Sequence, residues 1–161
     1  DNPAFPETRS TWTHYKAHLP ALATRYRMIG HGHPRIYPML ARRFEAMGIE
    51  PVADFEDVLA RADLYVNDAS STLYEFAATG RPVVVLNAPW YRRDVRHGMR
   101  FWQYADVGVQ VDGPRQLPDA IEAALADPVA IRARREEIVA NVYPYMGDAA
   151  RRAAVAMFWS V

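Results

Sequence analysis

Apolar and polar positions along this chain fall into blocks of two periods, and the order of those blocks predicts the fold. Trp12, Tyr15, Leu19 and Leu22 recur at intervals of three and four residues, a helical spacing with Ser10 and Thr11 placed as N-cap. Pro20 is expected to kink or end that helix. A short strand over residues 26–30 leads into the turn His31-Gly32-His33-Pro34. An amphipathic helix follows over 35–47, with Ile36, Leu40, Phe44 and Met47 on one face and Gly48 closing it. Residues 49–53 read as a strand, 54–62 as a helix capped by Asp54, and 63–67 as the next strand.

The alternation continues. Asp68-Ala69-Ser70-Ser71 forms a turn that caps a helix over 72–79, and Gly80 stops it. Residues 82–87 make a wholly apolar strand of the kind buried on both faces, which belongs in mid-sheet. An arginine-rich stretch over 88–102 has no period and is long for an ordinary connection, so it is a candidate binding loop. An edge strand over 107–111 and helices over 117–126, 129–140 and 147–161 complete the chain. Strands alternating with helices call for an α/β domain of three layers, with a mostly parallel sheet between helices, because parallel neighbours need right-handed crossovers. Ligands in such folds sit at the carboxyl ends of the strands.

Composition narrows the picture. With 161 residues the chain is the size of one domain, and half its residues are hydrophobic. Nineteen basic residues balance nineteen acidic ones, so nothing in the total charge asks for nucleic acid as a partner. The basic set is almost wholly arginine, with Lys16 the only lysine, which suits bidentate phosphate recognition and equally suits a GC-rich coding sequence. The absence of cysteine removes disulfides, thiolate metal sites and cysteine nucleophiles, and fits a cytoplasmic setting. No apolar run approaches the roughly 20 residues that span a bilayer. The chain opens at Asp1 in a proline-rich stretch, and is read as a C-terminal piece of a longer protein.

Three segments carry candidate chemistry. At the start of the helix over 72–79, Ser70, Ser71 and Thr72 bring hydroxyls without bulk beside amides expected to be unpaired, an arrangement suited to a diphosphate. Glu75, one turn on, is placed to reach ribose hydroxyls. The competing reading is an ordinary N-cap followed by a surface glutamate. In the turn after the first strand, His31, His33 and Arg35 are candidate phosphate partners, and His33 is the candidate catalytic group, placed to donate to a phosphate oxygen or, protonated, to offset charge on a leaving group. Gly30 and Gly32 are expected to admit a ligand close to the backbone. They do not form a dinucleotide fingerprint, since Arg35 stands where the third glycine belongs, and no acidic residue in the turn completes a metal site. The two histidines read otherwise as helix caps or surface residues. Arg96, in the loop over 88–102, is a candidate for closing over a polyphosphate, against the alternative of a solvated basic loop.

The run Asp68-Ala69-Ser70-Ser71-Thr72-Leu73-Tyr74-Glu75, continued by Arg81-Pro82-Val83-Val84, resembles the donor-site signature of two-domain glycosyltransferases of the GT-B architecture. It is most similar to the CDP-glycerol glycerophosphotransferases that build teichoic acid polymers. Their signature is an Asp-Tyr-Ser-Ser turn, an acidic residue in the helix and a Lys-Pro-Ile-Ile-type strand. Asp68, Ser70, Ser71, Glu75, Pro82 and Val83 match; Ala69 replaces the tyrosine and Glu75 the usual aspartate. Related UDP-sugar epimerases carry Ser-Gly-Gly at the turn, so the double serine favours a transferase. His33-Pro34 is similar to a His-Pro turn that faces the donor diphosphate in the same enzymes, and Arg96, Gly98 and Phe101 approximate an Arg-Gly-Phe-Tyr-like patch.

The resemblance implies a Rossmann-like domain over residues 1–161, one half of a GT-B architecture. Its implied partner is a nucleotide-diphosphate donor, CDP-glycerol or a nucleotide sugar, and the acceptor is supplied by an N-terminal domain outside this chain. It implies backbone recognition of the base near residues 52–58, no cofactor and no metal, and a cytoplasmic location with peripheral membrane association through other domains. An epimerase-like domain and a non-catalytic α/β interaction module remain the alternatives.

Overall fold

The computed structural model of the chain describes residues 6, 9–68, 70–92 and 102–158. Its opening helix is broken as Pro20 led us to expect: α1 (Trp12–Tyr15) passes through a 3-10 turn over Lys16–His18 into α2 (Leu19–Ala23), with the proline in the first turn of α2 where its missing N–H leaves no bond unmade. Strand β1 (Ile29–Gly30) is shorter than its apolar run, because the amides of Arg25 and Tyr26 both donate to the Leu22 carbonyl at 2.9 Å and close α2. Helix α3 (Tyr37–Ala46) ends in a Schellman motif. The amide of Ile49 donates to the Phe44 carbonyl and that of Gly48 to the Glu45 carbonyl, with Gly48 at φ +74° and the Ile49 and Phe44 side chains in one apolar cluster. Ile49 therefore closes a helix rather than opening a strand, and β2 is Glu50–Pro51.

The remaining elements follow the predicted order: α4 (Phe55–Arg61), β3 (Tyr65–Asn67), α5 (Thr72–Ala77), β4 (Val83–Leu86), β5 (Val109–Val111), α6 (Leu117–Leu125), α7 (Val129–Val142) and α8 (Ala149–Phe158). Strand pairing is parallel throughout, β1 with β2 and β4 between β3 and β5. The apolar run of β4 thus lies in the middle of its sheet, and β5 lies on an edge. Backbone bonds among the described residues define two sheets rather than one, yet Ile29 and Val52 from the first join the core under Val83 and Val85 of the second.

Side chains of β4 alternate between two cores, which makes the molecule three layers deep. Val83 and Val85 face a cluster with Leu73 and Phe76 of α5, Val58 of α4 and Ile138 of α7. Val84 and Leu86 face the opposite cluster, with Tyr15, Leu22 and Ile121 of α6. All four β4 residues are buried, and each valine removed from water contributes about 1.5–3 kcal/mol before chain entropy is subtracted.

Two arginines stitch the helical layer over the first core. Arg81 donates to the carbonyls of Ala62 and Leu59 at the end of α4, and its guanidinium lies 4.7 Å from the Phe76 ring centroid. Arg135 of α7 is fully buried and donates through Nη2 to the Gly80 carbonyl at 2.7 Å and to Asp127 at 3.0 Å. Asp127 sits at φ +43°, a left-handed conformation that aspartate tolerates, and it also accepts from Arg132 at 2.8 Å. Burial pushes its carboxyl up, but bonds from Arg135 and Arg132 outweigh that and hold it below the usual carboxylate range.

Candidate functional site

The carboxyl end of β1 opens into the His31–Arg35 turn. His31 Nδ1 lies 3.3 Å from the Val52 carbonyl, which only accepts, so Nδ1 carries the proton and donates. His33 is the reverse case. Its Nδ1 accepts from the Arg35 amide at 3.2 Å, so in the neutral ring the proton sits on Nε2, and the exposed His33 presents an N–H outward. The Arg35 side chain is also exposed. The two glycines do something other than expected. A Cβ on Gly30 would lie 2.6 Å from the Phe44 ring, and one on Gly32 would lie 2.4 Å from Leu40. They make room for α3 to fold back over the turn, and the space given to a ligand in the sequence reading is filled by those two side chains.

The β3–α5 turn is a closed polar network. Tyr65 and Asn67 lie two apart on β3 and point to one face, where they meet Thr72, the first residue of α5. Tyr65 Oη is 2.9 Å from Thr72 Oγ1, and Asn67 Nδ2 donates to the same oxygen at 3.4 Å. The Thr72 hydroxyl donates to Ser70 Oγ at 2.9 Å, and the Thr72 amide to Ser70 Oγ at 3.3 Å. The amides were expected to be unpaired, and four of them are not: Ser70 N donates to Asn67 Oδ1, Leu73 N to the Ser70 carbonyl and Tyr74 N to the Ser71 carbonyl, besides that of Thr72. The turn winds tightly enough to satisfy its own donors, at lengths of 3.0–3.4 Å. What it offers to solvent is therefore hydroxyl groups, since Ser70 and Ser71 are exposed and Ser71 makes no capping bond.

A run of tilted ring contacts connects the two turns. His31 packs on Phe55 at 5.6 Å between centroids, Phe55 on Tyr65 at 5.7 Å, and Tyr65 on Phe76 at 5.1 Å, with the Tyr65 hydroxyl reaching Thr72. The His31 and Ser70 segments are thus joined by a continuous chain of side-chain contacts through Phe55, Tyr65 and Thr72. Burial raises the pKa of Tyr65, against bonds with Thr72 and Asn67 that lower it, so its hydroxyl stays protonated at neutral pH. Burial, followed by the negative charge of Glu75, likewise raises Tyr143 of the turn after α7. Glu75 itself is exposed on α5.

Asp68 has a structural task. Its Oδ2 accepts from the Thr11 amide at 2.8 Å, and its Oδ1 lies 3.0 Å from the Tyr91 hydroxyl, whose single proton is shared between that oxygen and the Arg9 carbonyl at 2.7 Å. The acidic head of the motif thereby joins the N-terminal segment to the chain after β4.

Over residues 9–158 the sequence matches the family described as CDP-glycerol:poly(glycerophosphate) glycerophosphotransferase. The chain belongs to this family. Comparison with curated proteins and with solved structures gave no match. Membership in the glycerophosphotransferase family makes this a transferase-type chain, and the donor class that the family implies is a nucleotide-linked one such as CDP-glycerol.

Within this glycerophosphotransferase chain, His31, Thr72 and the exposed Ser70 are linked through the ring contacts and the Thr72 hydroxyl, whereas His33, Arg35 and Ser71 are exposed on the two turns and Glu75 is exposed on α5. Arg96 lies outside the described residues. Tyr65 and Asn67 went unnoticed in the sequence; the available signal was a polar Asn67 ending an apolar strand two positions after a tyrosine. Among the described residues no three histidine or acidic side chains gather as metal ligands, and no helix is long and apolar enough to cross a membrane.

Proposed function

We propose that this chain binds the nucleotide-diphosphate donor of a glycerophosphotransferase, CDP-glycerol, at the carboxyl ends of β1 and β3. Family membership over residues 9–158 carries the reading, and the exposed hydroxyls of Ser70 and Ser71 beside the His33 turn support it. Helix α5 has six residues, so its dipole is short, and the reading leans on side-chain donors rather than on the helix terminus. Ser70 and Ser71 hold the diphosphate, Thr72, whose own donors are spent on Ser70, orients that serine, Glu75 accepts from ribose hydroxyls, and Arg35, His31 and Arg96 complete the electrostatic surround.

Transfer of glycerophosphate breaks the anhydride bond of the donor. An acceptor hydroxyl attacks the phosphorus that bears glycerol and gives its proton to a general base of the N-terminal domain, a new phosphodiester forms, and CMP leaves with the bond pair on its phosphate oxygen. His33 Nε2–H donates to the oxygen on which charge accumulates. Positioning supplies the remaining rate enhancement, with the acceptor brought by an N-terminal domain in a GT-B arrangement.

A thermal-shift panel of CDP-glycerol, CDP, UDP, GDP and ADP tests the reading. At 100 times its dissociation constant the true ligand adds about 2.7 kcal/mol to the folded state. CDP-glycerol and CDP are expected to stabilise the chain most, and Ser71→Tyr to abolish the shift while leaving the unliganded melting temperature unchanged. A panel without any shift removes donor binding from this chain.

A further inference from the structure

The hydrogen bonds of the β3–α5 turn have a direction, and that direction ends at Ser70. A hydroxyl has one proton to give and two lone pairs to receive. Ser70 Oγ receives from the Thr72 amide and from the Thr72 hydroxyl, so both its acceptor positions are occupied and its own proton points elsewhere. Thr72 has given its only proton to Ser70, so in its contact with Tyr65 the tyrosine must be the donor. The Thr72 oxygen then receives from two sides, from Tyr65 and from Asn67 Nδ2 at 3.4 Å, while its proton goes to Ser70, so the chain of hydroxyls runs in one direction.

We propose that Tyr65 is a positioning residue: through Thr72 it locks the exposed Ser70 hydroxyl as an outward donor, so that the turn accepts an anionic phosphate oxygen and disfavours a ligand group that donates. Asn67 reinforces the lock by filling the second lone pair of Thr72. The inference rests on the reading of this turn as the phosphate site. Tyr65 itself need not touch the ligand, since its influence passes through two oxygen atoms held 2.9 Å from their neighbours.

Calorimetric titration of the 161-residue chain with CDP-glycerol, through a double-mutant cycle, tests it. Ser70→Ala is expected to weaken binding about tenfold or more. Tyr65→Phe, which keeps the ring in its stack, should weaken it about threefold to tenfold in the wild-type background and not at all in the Ser70→Ala background. Thr72→Val cuts the relay one link later without altering the Tyr65 ring and should behave as Tyr65→Phe does, whereas Thr72→Ser restores binding. A Tyr65→Phe chain that binds like wild type, or loses the same factor when Ser70 is already alanine, overturns the relay while donor binding stands. Unchanged affinity in Ser70→Ala does the same. Failure of the wild-type chain to bind CDP-glycerol overturns donor binding and the relay together.

Discussion

At His33 a neighbour's backbone decides which ring nitrogen is left to donate. The Arg35 amide occupies Nδ1, leaving Nε2–H as the outward donor. His33→Asn keeps an acceptor near the Nδ1 position and loses the outer donor, so it should weaken CDP-glycerol binding by about 1.5–3 kcal/mol, roughly tenfold to a hundredfold. His33→Gln, whose amide reaches the Nε2 position, should retain most of the affinity; equal loss in both variants by calorimetry would assign His33 to holding the turn. Gly108 is a different kind of position. A Cβ there would lie 2.2 Å from the Val83 carbonyl oxygen, and backbone in a central strand cannot move aside. Gly108→Ala is expected to lower unfolding free energy by about 3 kcal/mol in urea titrations, near the upper end for overpacked positions. The three atoms nearest a Cβ on Gly30 all belong to the Phe44 ring, a side chain that can shift, so Gly30→Ala should be milder. A sequence reveals a glycine but not what presses against it, which is why Gly30 and Gly32 suggested a ligand and proved to accommodate α3.

Strand and helix order was legible because each block of apolar periodicity is bounded by Pro, Gly or a capping residue. Boundaries were less so. Both Tyr26 and Ile49 sit in runs that look extended, but their amides are engaged in ending the preceding helix. The relay from Tyr65 to Ser70 was hidden for a related reason: it depends on β3 and the first turn of α5 facing each other, and no periodicity reports that. The α6–α7 junction gives a prediction at this scale. Asp127 has a depressed pKa in the folded chain, so it adds stability above its unfolded pKa, and that stability is lost as pH falls through the folded value. Arg135→Met removes its buried partner and leaves the Gly80 carbonyl unmet. Unfolding free energy should drop by about 2 kcal/mol at neutral pH, and the difference from wild type should shrink from about pH 4 downward. A constant difference across that range would mean that Asp127 is indifferent to Arg135.

At the scale of the whole molecule, the sheet of β3, β4 and β5 separates two large apolar clusters. Ile138 of α7 belongs to one and Ile121 of α6 to the other, and the two clusters share no residue. Ile138→Val and Ile121→Val should each lower stability by about 0.5–1.5 kcal/mol, and the double variant should lose the sum to within about 0.5 kcal/mol. A larger departure in denaturant titrations would show that β4 transmits strain between its faces. The tie at Asp68 bears on how this protein can be handled. One carboxylate clasps residues 11 and 91, and Thr11 is almost completely enclosed. Trimming the chain past Thr11 to obtain a smaller crystallisable or fusible piece would leave the Asp68 carboxylate without its amide partner at the head of the β3–α5 turn, so any useful truncation has to begin upstream of that threonine.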